Sequence, residues 1–143
     1  GGQGLNSRLN ISLREKNGLA YNVESVYNPY NETGLFSIYF GTDPGHIEKS
    51  MTIAYREMKK LRTRKLGILQ LARAKNQIKG YVARGFESYE SLMLSMGKNI
   101  LVFNRIDIPE DIYKKIDAVT ANELMDIANE VLDEQKLSVL IYK

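Results

Sequence analysis

Arg14 and Tyr21 stand on either side of the dipeptide Asn17-Gly18 in the stretch LREKNGLAYNV, Leu13 to Val23. Asn-Gly is a helix stop, and the alternation after it starts a strand. The corner therefore folds the strand back beside the helix end and lets a guanidinium and a phenol face the same space. That pair suits a peptide. Arginine donates to backbone carbonyls, and tyrosine donates to a carbonyl oxygen as it gains negative charge. Each residue also has a plainer reading. Arg14, in the last helical turn, offsets the carbonyl end of the helix dipole. Tyr21 packs half-buried on the strand with its hydroxyl at the surface. An apolar strand edge beside the corner would accept an extended peptide by strand addition.

Other chemistries find less support. A metal centre needs three or four ligands, and the chain has a single histidine, His46. Neither H-E-x-x-H nor H-x-x-E-H can be formed, so the chain is expected to hold no metal, with His46 an exposed residue at a helix start. A Ser-His-Asp triad would need His46 as its base, and no G-x-S-x-G is present. The opening GGQG lacks the lysine of a phosphate loop and follows no strand. The absence of cysteine excludes disulfides, thiolate zinc sites, iron–sulfur clusters and a cysteine nucleophile. The densest cationic run, KKLRTRK from Lys59 to Lys65, has no aromatic residues among its charges. It reads as the solvated end of a helix rather than a nucleic-acid surface. The net charge of +3 is only mildly basic. The chain thus carries no complete catalytic machinery.

The elements that must position Arg14 and Tyr21 follow from periodicity. The length of 143 residues reads as one domain spanning residues 1–143. Leu5, Leu9 and Leu13 recur every four residues, an apolar helical stripe that stops at Gly18. LAYNVESVY alternates, with Leu19, Tyr21, Val23, Ser25 and Tyr27 on one side. NPYNETG turns, and Leu35 to Gly41 forms the second strand of an antiparallel hairpin. Asp43 caps the next helix with Pro44 at its first position, and Ile47, Met51, Ala54, Met58 and Leu61 make its inward stripe. Helices are predicted over Leu69–Ala83 and Ser88–Phe103 and from Pro109. A capping box of Thr120 and Glu123 opens another, with Leu124, Ile127, Ala128 and Val131 inward. KLSVLIY closes the chain as a third strand. The class is α+β, an antiparallel sheet with helices packed on one face. Three strands are few for so many helices, which implies that part of the sheet is missing from this chain. No apolar run approaches the roughly 18 residues of a membrane span, and no signal-peptide core opens the chain. The expectation is a soluble protein with neither membrane nor nucleic acid as partner; the sequence does not assign its compartment, cytoplasmic or periplasmic.

The segment GG…NSRLNISLREKNGLAYNVESVY, followed by GLFSIYFGTDP and a helix, resembles the C-terminal, non-catalytic domain of the insulinase/pitrilysin-type zinc metallopeptidases. QLARAKNQIKG, IDAVTANELMDIANEVL and KLSVLIY are similar to later segments of that family, so the likeness runs from about Gly1 to Tyr142. It implies the metallohydrolase half-domain of the processing peptidases, here incomplete. It further implies a peptidase of two related halves, with zinc held by H-x-x-E-H and a distant glutamate on the N-terminal half. By that resemblance Arg14 and Tyr21 bind substrate backbone and help stabilise the tetrahedral intermediate, and Gly18 is the corner that places them. No cofactor is expected on this chain, and zinc is expected on the partner domain. The partners implied are a peptide substrate and the N-terminal catalytic domain, in the same protein or in another subunit. This chain alone is expected to be inactive. The alternative is a catalytically inactive scaffold, a processing-peptidase-like subunit of the same fold.

Overall fold

The computed structural model describes residues 6–30, 32–106 and 108–142. Leu5 and the GGQG lead-in lie outside the described residues. The chain divides into two compact units: residues up to Arg64 together with those from Met125 onward, and Lys65 to Leu124.

The first unit opens on a wide helix rather than the α-helix that the leucine spacing predicts. Asn10–Glu15 is a π-helix, and the Lys16 N–H reaches five residues back to the Ile11 carbonyl at 2.9 Å. Widened turns of this kind bring round residues that an α-helix would face elsewhere. Here polar Asn10 and Ser12 are buried beside Leu9 and Leu13. The Asn10 amide is satisfied by the Ser7 hydroxyl at 2.9 Å and the Val23 carbonyl at 3.4 Å. Leu13 is wholly inaccessible to solvent.

Gly18 ends this helix in the left-handed conformation, φ +59. Its N–H donates to the Arg14 carbonyl at 2.9 Å, and the Leu19 N–H donates to the Leu13 carbonyl at 2.8 Å. The Asn17 side chain donates to the Ser12 carbonyl at 2.6 Å. This closure resembles a Schellman cap, widened by the π-turn, and it satisfies carbonyls that the helix end would otherwise leave bare. Leu19 and Ala20 then both enter the core. The alternation expected from Leu19 therefore begins only at Val23.

β1 (Val23–Pro29) and β2 (Gly34–Phe40) form an antiparallel pair, in register from Val23↔Phe40 to Pro29↔Gly34. Val23, Phe36, Ile38 and Phe40 share the face that packs against the core. On the other face Val26, Leu35 and Tyr39 are exposed. α1 (Ile47–Thr63) brings Ile53 and Ala54 against Leu9, Leu13, Leu19, Ala20 and Val23. Its inward stripe differs from the apolar one expected, because it includes Ser50 and Glu57, while Ile47, Met51 and Leu61 are only half-buried. Thr42 Oγ1 donates to the Leu19 carbonyl at 2.6 Å and lies 3.1 Å from Ser50 Oγ. With Thr42's one proton committed to Leu19, Ser50 is the donor in that second contact.

Glu57 is 6% exposed and accepts from Lys60 Nζ at 2.6 Å. Burial by itself pushes its carboxyl up. The Lys60 bond and charge, the Ser12 hydroxyl and the Arg8 charge outweigh that and hold it below the usual carboxylate range. A recess of about 250 Å³ borders it, lined among others by Arg8, Ser25, Phe36, Ile38 and Leu132.

α5 (Ala121–Val131) places Ala128 beside Met58 and Leu132, with Val131 against them. Leu124 and Ile127, expected inward, are exposed. The Asn129 amide donates to the Arg62 carbonyl at 3.0 Å near the end of α1, and Arg62 Nη2 pairs with Asp133 at 3.4 Å. Part of the Lys59–Lys65 run is thus spent on internal pairing. The predicted closing strand is not observed: among the described residues the sheet has two strands. Of KLSVLIY, Leu137 packs on the core, whereas Val139 to Tyr142 are exposed and unladdered. A strand requires a neighbour's backbone groups, and no described segment offers them to these residues.

The second unit comprises α2 (Ile68–Glu87), α3 (Tyr89–Phe103), α4 (Pro109–Ala118) and the first turn of α5. The ends fall where the residues dictate. Ser88 Oγ accepts from the Ser91 N–H at 3.3 Å, and Asn104 in the left-handed region (φ 52) ends α3. Pro109 opens α4. The Thr120–Glu123 capping box forms in both directions, at 2.7 and 3.2 Å. α2 is tied to the end of α4 by Lys75 Nζ on the Asp117 carbonyl at 2.7 Å and by Lys79 Nζ on its carboxylate at 2.5 Å. No described residue of this unit is fully buried. The architecture is α+β, with helices packed against one face of an antiparallel hairpin.

Two outcomes follow. Gly18→Ala places a Cβ in open space, so only the left-handed backbone is strained. Urea unfolding should show a loss of about 1 kcal/mol, and a much smaller one for Gly18→Asn. Glu57→Gln should destabilise by about 1–3 kcal/mol at neutral pH. Because the folded carboxyl titrates below its unfolded value, this contribution is complete above the unfolded pKa. The gap between variant and wild type closes as pH falls through the folded pKa.

Candidate functional site

Tyr21 lies just before β1 but is held as though in the ladder. Its N–H donates to the Gly41 carbonyl at 3.1 Å, and the Gly41 N–H donates to the Asn22 carbonyl at 3.2 Å. The ring lies over Gly41, where a Cβ would come 4.0 Å from Tyr21 Cδ2. The side chain is nevertheless 70% exposed, so the half-buried strand position expected for it is not what forms. Its hydroxyl donates to Asp43 Oδ1 at 2.5 Å. The hydrogen bond to Asp43, then that carboxylate's charge, then slight burial raise the phenol's pKa above the ordinary value. At neutral pH the phenol carries its proton, as an ordinary tyrosine does, and donates it in the bond to Asp43.

Asp43 stands at the N-cap position before Pro44, as the sequence suggests, but its side chain makes no capping bond. One carboxylate oxygen takes Tyr21 and the other lies 3.9 Å from His46 Nδ1. His46 is exposed, in the short turn Pro44–His46 that precedes α1. Among the described residues no three His, Cys, Asp or Glu side chains are grouped to hold a metal ion. No described helix is long and apolar enough to cross a membrane.

Arg14 belongs to the last turn of the π-helix, exposed, with Nε 3.7 Å from Glu15. Its backbone carbonyl receives the Gly18 N–H, so the residue bearing the guanidinium is itself part of the glycine corner. Arg14 and Gly18 are therefore coupled through the backbone, and Tyr21 is coupled to the hairpin through Gly41. No hydrogen bond or ion pair joins Arg14 to Tyr21 among the described residues; each takes a separate acidic partner. Asp43 was missed as part of this constellation. The signal for it lay in the hairpin register: carried two residues past Val23↔Phe40, it sets Tyr21 opposite Thr42, next to Asp43. Chemically, the corner offers an exposed guanidinium and an exposed phenol, the latter bonded to a carboxylate.

The model of a family described as the peptidase M16 inactive domain matches residues 2–78, more than half of the chain. A Streptomyces coelicolor protein named an uncharacterized zinc protease is 31% identical over 140 residues, covering 97% of this chain and 30% of that protein. Mitochondrial-processing peptidase subunit alpha of Rattus norvegicus is 25% identical over 131 residues, covering 92% of this chain and 25% of the subunit. The chain spans about a quarter to a third of the length of the curated relatives it matches. Among solved structures, the peptidase M16 inactive domain of Pseudomonas fluorescens superposes with a TM-score of 0.77 at 22% identity. That likeness in fold covers 93% of this chain and 32% of that one. The resemblance carried by SRL…LREKNGLAY is thus upheld, and the chain belongs to the peptidase M16 family as its inactive, C-terminal type of domain.

Proposed function

We propose that this chain is the substrate-binding half of a zinc-dependent metalloendopeptidase. The observation that carries the reading is the state of Tyr21, a phenol anchored by its backbone, protonated and exposed. A peptide carbonyl that becomes an oxyanion during hydrolysis needs such a donor, and its stabilisation rises as charge develops. Arg14 donates to the substrate's backbone carbonyls and fixes its register. The described residues do not form a zinc site. Zinc and the base that activates water belong in this reading to another domain of the same protein or to a partner subunit. The names of the relatives, zinc proteases and a processing-peptidase subunit, support that division of labour.

A second reading is a scaffold that keeps the fold without taking part in catalysis, which the family's description as an inactive domain favours. The two separate in the whole protein. Tyr21→Phe should lower kcat on the order of 10²-fold with KM little changed. Arg14→Ala should raise KM roughly tenfold, the loss of one charge-assisted hydrogen bond, while kcat changes less. Wild-type kinetics in both variants would leave the scaffold reading standing alone.

A further inference from the structure

The Tyr21 hydroxyl has one proton, and in this structure that proton is spent on Asp43. We propose that Asp43 is the resting partner of Tyr21, parking the phenol in the substrate-free domain so that a peptide carbonyl obtains it only by displacing the carboxylate. The inference rests on the proposed role of Tyr21 and adds a regulator of that site.

Three features support it. First, the contact is a short charge-assisted bond at 2.5 Å between residues 22 apart in the sequence, set by the continuation of the hairpin through Tyr21 and Gly41. Second, Asp43 has the position and backbone of an N-cap (φ −66, ψ 147) and makes no capping bond. The carboxylate gives up the role this residue type usually fills at that position and turns to Tyr21 instead. Third, the remaining neighbour of the carboxylate is His46, at 3.9 Å and largely open to water. Tyr21 is therefore the partner within hydrogen-bond distance, and its raised pKa agrees with a phenol that keeps its proton.

Competition for a single proton has a definite sign. A carboxylate is a stronger acceptor than a neutral peptide carbonyl, so the resting bond opposes engagement of substrate. It also leaves a negative charge beside the oxygen that turns negative during hydrolysis. A residue that merely supported the fold would lose activity when removed, whereas a parking residue yields a gain.

The test uses the whole protein with a peptide substrate and compares wild type with Asp43→Ala, Asp43→Asn, Tyr21→Phe and Asp43→Ala/Tyr21→Phe. Asp43→Ala should raise kcat/KM by about three- to tenfold, the scale of exchanging a carboxylate for water as competitor. Asp43→Asn, which keeps a neutral acceptor and the same shape, should give a smaller gain. The gain should vanish in the Tyr21→Phe background. Slow Tyr21→Phe together with Asp43 variants no faster than wild type overturns the parking contact and leaves the function reading intact. Wild-type turnover in Tyr21→Phe overturns both the parking contact and the catalytic role proposed for Tyr21. A readout independent of activity is the titration of ¹³Cζ-labelled tyrosine, with the Tyr21 signal identified by its loss in Tyr21→Phe. Asp43→Asn should bring that titration down toward the ordinary tyrosine range, and an unmoved titration overturns the proposal.

Discussion

One backbone closure organises the first unit, the Leu19 N–H on the Leu13 carbonyl across a left-handed Gly18. It reverses the chain within a few residues and delivers Leu13 and Leu19 to the same core, one as the last apolar residue of the helix and the other as the first after it. Val23 at the start of β1 and Ile53 and Ala54 of α1 join the two leucines in that core. The carbonyl of Arg14 is drawn into the same closure. The exposed guanidinium is therefore carried by a residue whose own backbone is tied into the corner.

Around this corner the core is not wholly apolar. Ser50 and Glu57 occupy inward positions of α1, and each is satisfied by partners from the chain preceding α1 or by a neighbour on its own helix. Ser50 donates to Thr42, and the Thr42 hydroxyl donates in turn to the Leu19 carbonyl. Glu57 takes Lys60 and is further held by Ser12 and Arg8. Buried polar groups without partners are costly, whereas fully paired ones fix a single arrangement. In this unit they lock the π-helix, the corner and α1 to one another more specifically than leucines alone would.

The Tyr21–Asp43 contact has a different character. It lies in solvent and contributes little to the fold, yet it decides the state of a side chain that the rest of the unit places with care. Backbone pairing at Gly41 fixes where the tyrosine stands, and the carboxylate decides where its proton points. Position is thereby separated from availability at this site. The exposed apolar residues of the hairpin's outer face, of Val139–Tyr142 and of α3 are left without described partners, in a chain about a quarter to a third as long as its curated relatives.

The sequence by itself determined what depends on local chemistry. The Asn17-Gly18 stop, the hairpin, Pro44 and Pro109 at helix starts, and the Thr120–Glu123 box are all written in residues whose preferences act over a few positions. So was the family, through SRL…LREKNGLAY, and with it Arg14 and Tyr21 as candidates. Tertiary structure decided what depends on who sits opposite. The π-turn arises because Asn10 and Ser12 find partners inside, which no leucine spacing reveals. The inward face of α1 admits Ser50 and Glu57 because Thr42, Ser12 and Arg8 from earlier in the chain, together with Lys60 on the same helix, supply their partners. KLSVLIY has the pattern of a strand and no ladder to join, since β-structure is a property of pairs and not of segments. Asp43 looks like a cap from its neighbours Thr42 and Pro44. Only the hairpin's register, which brings residue 43 back to residue 21, makes it the partner of the tyrosine.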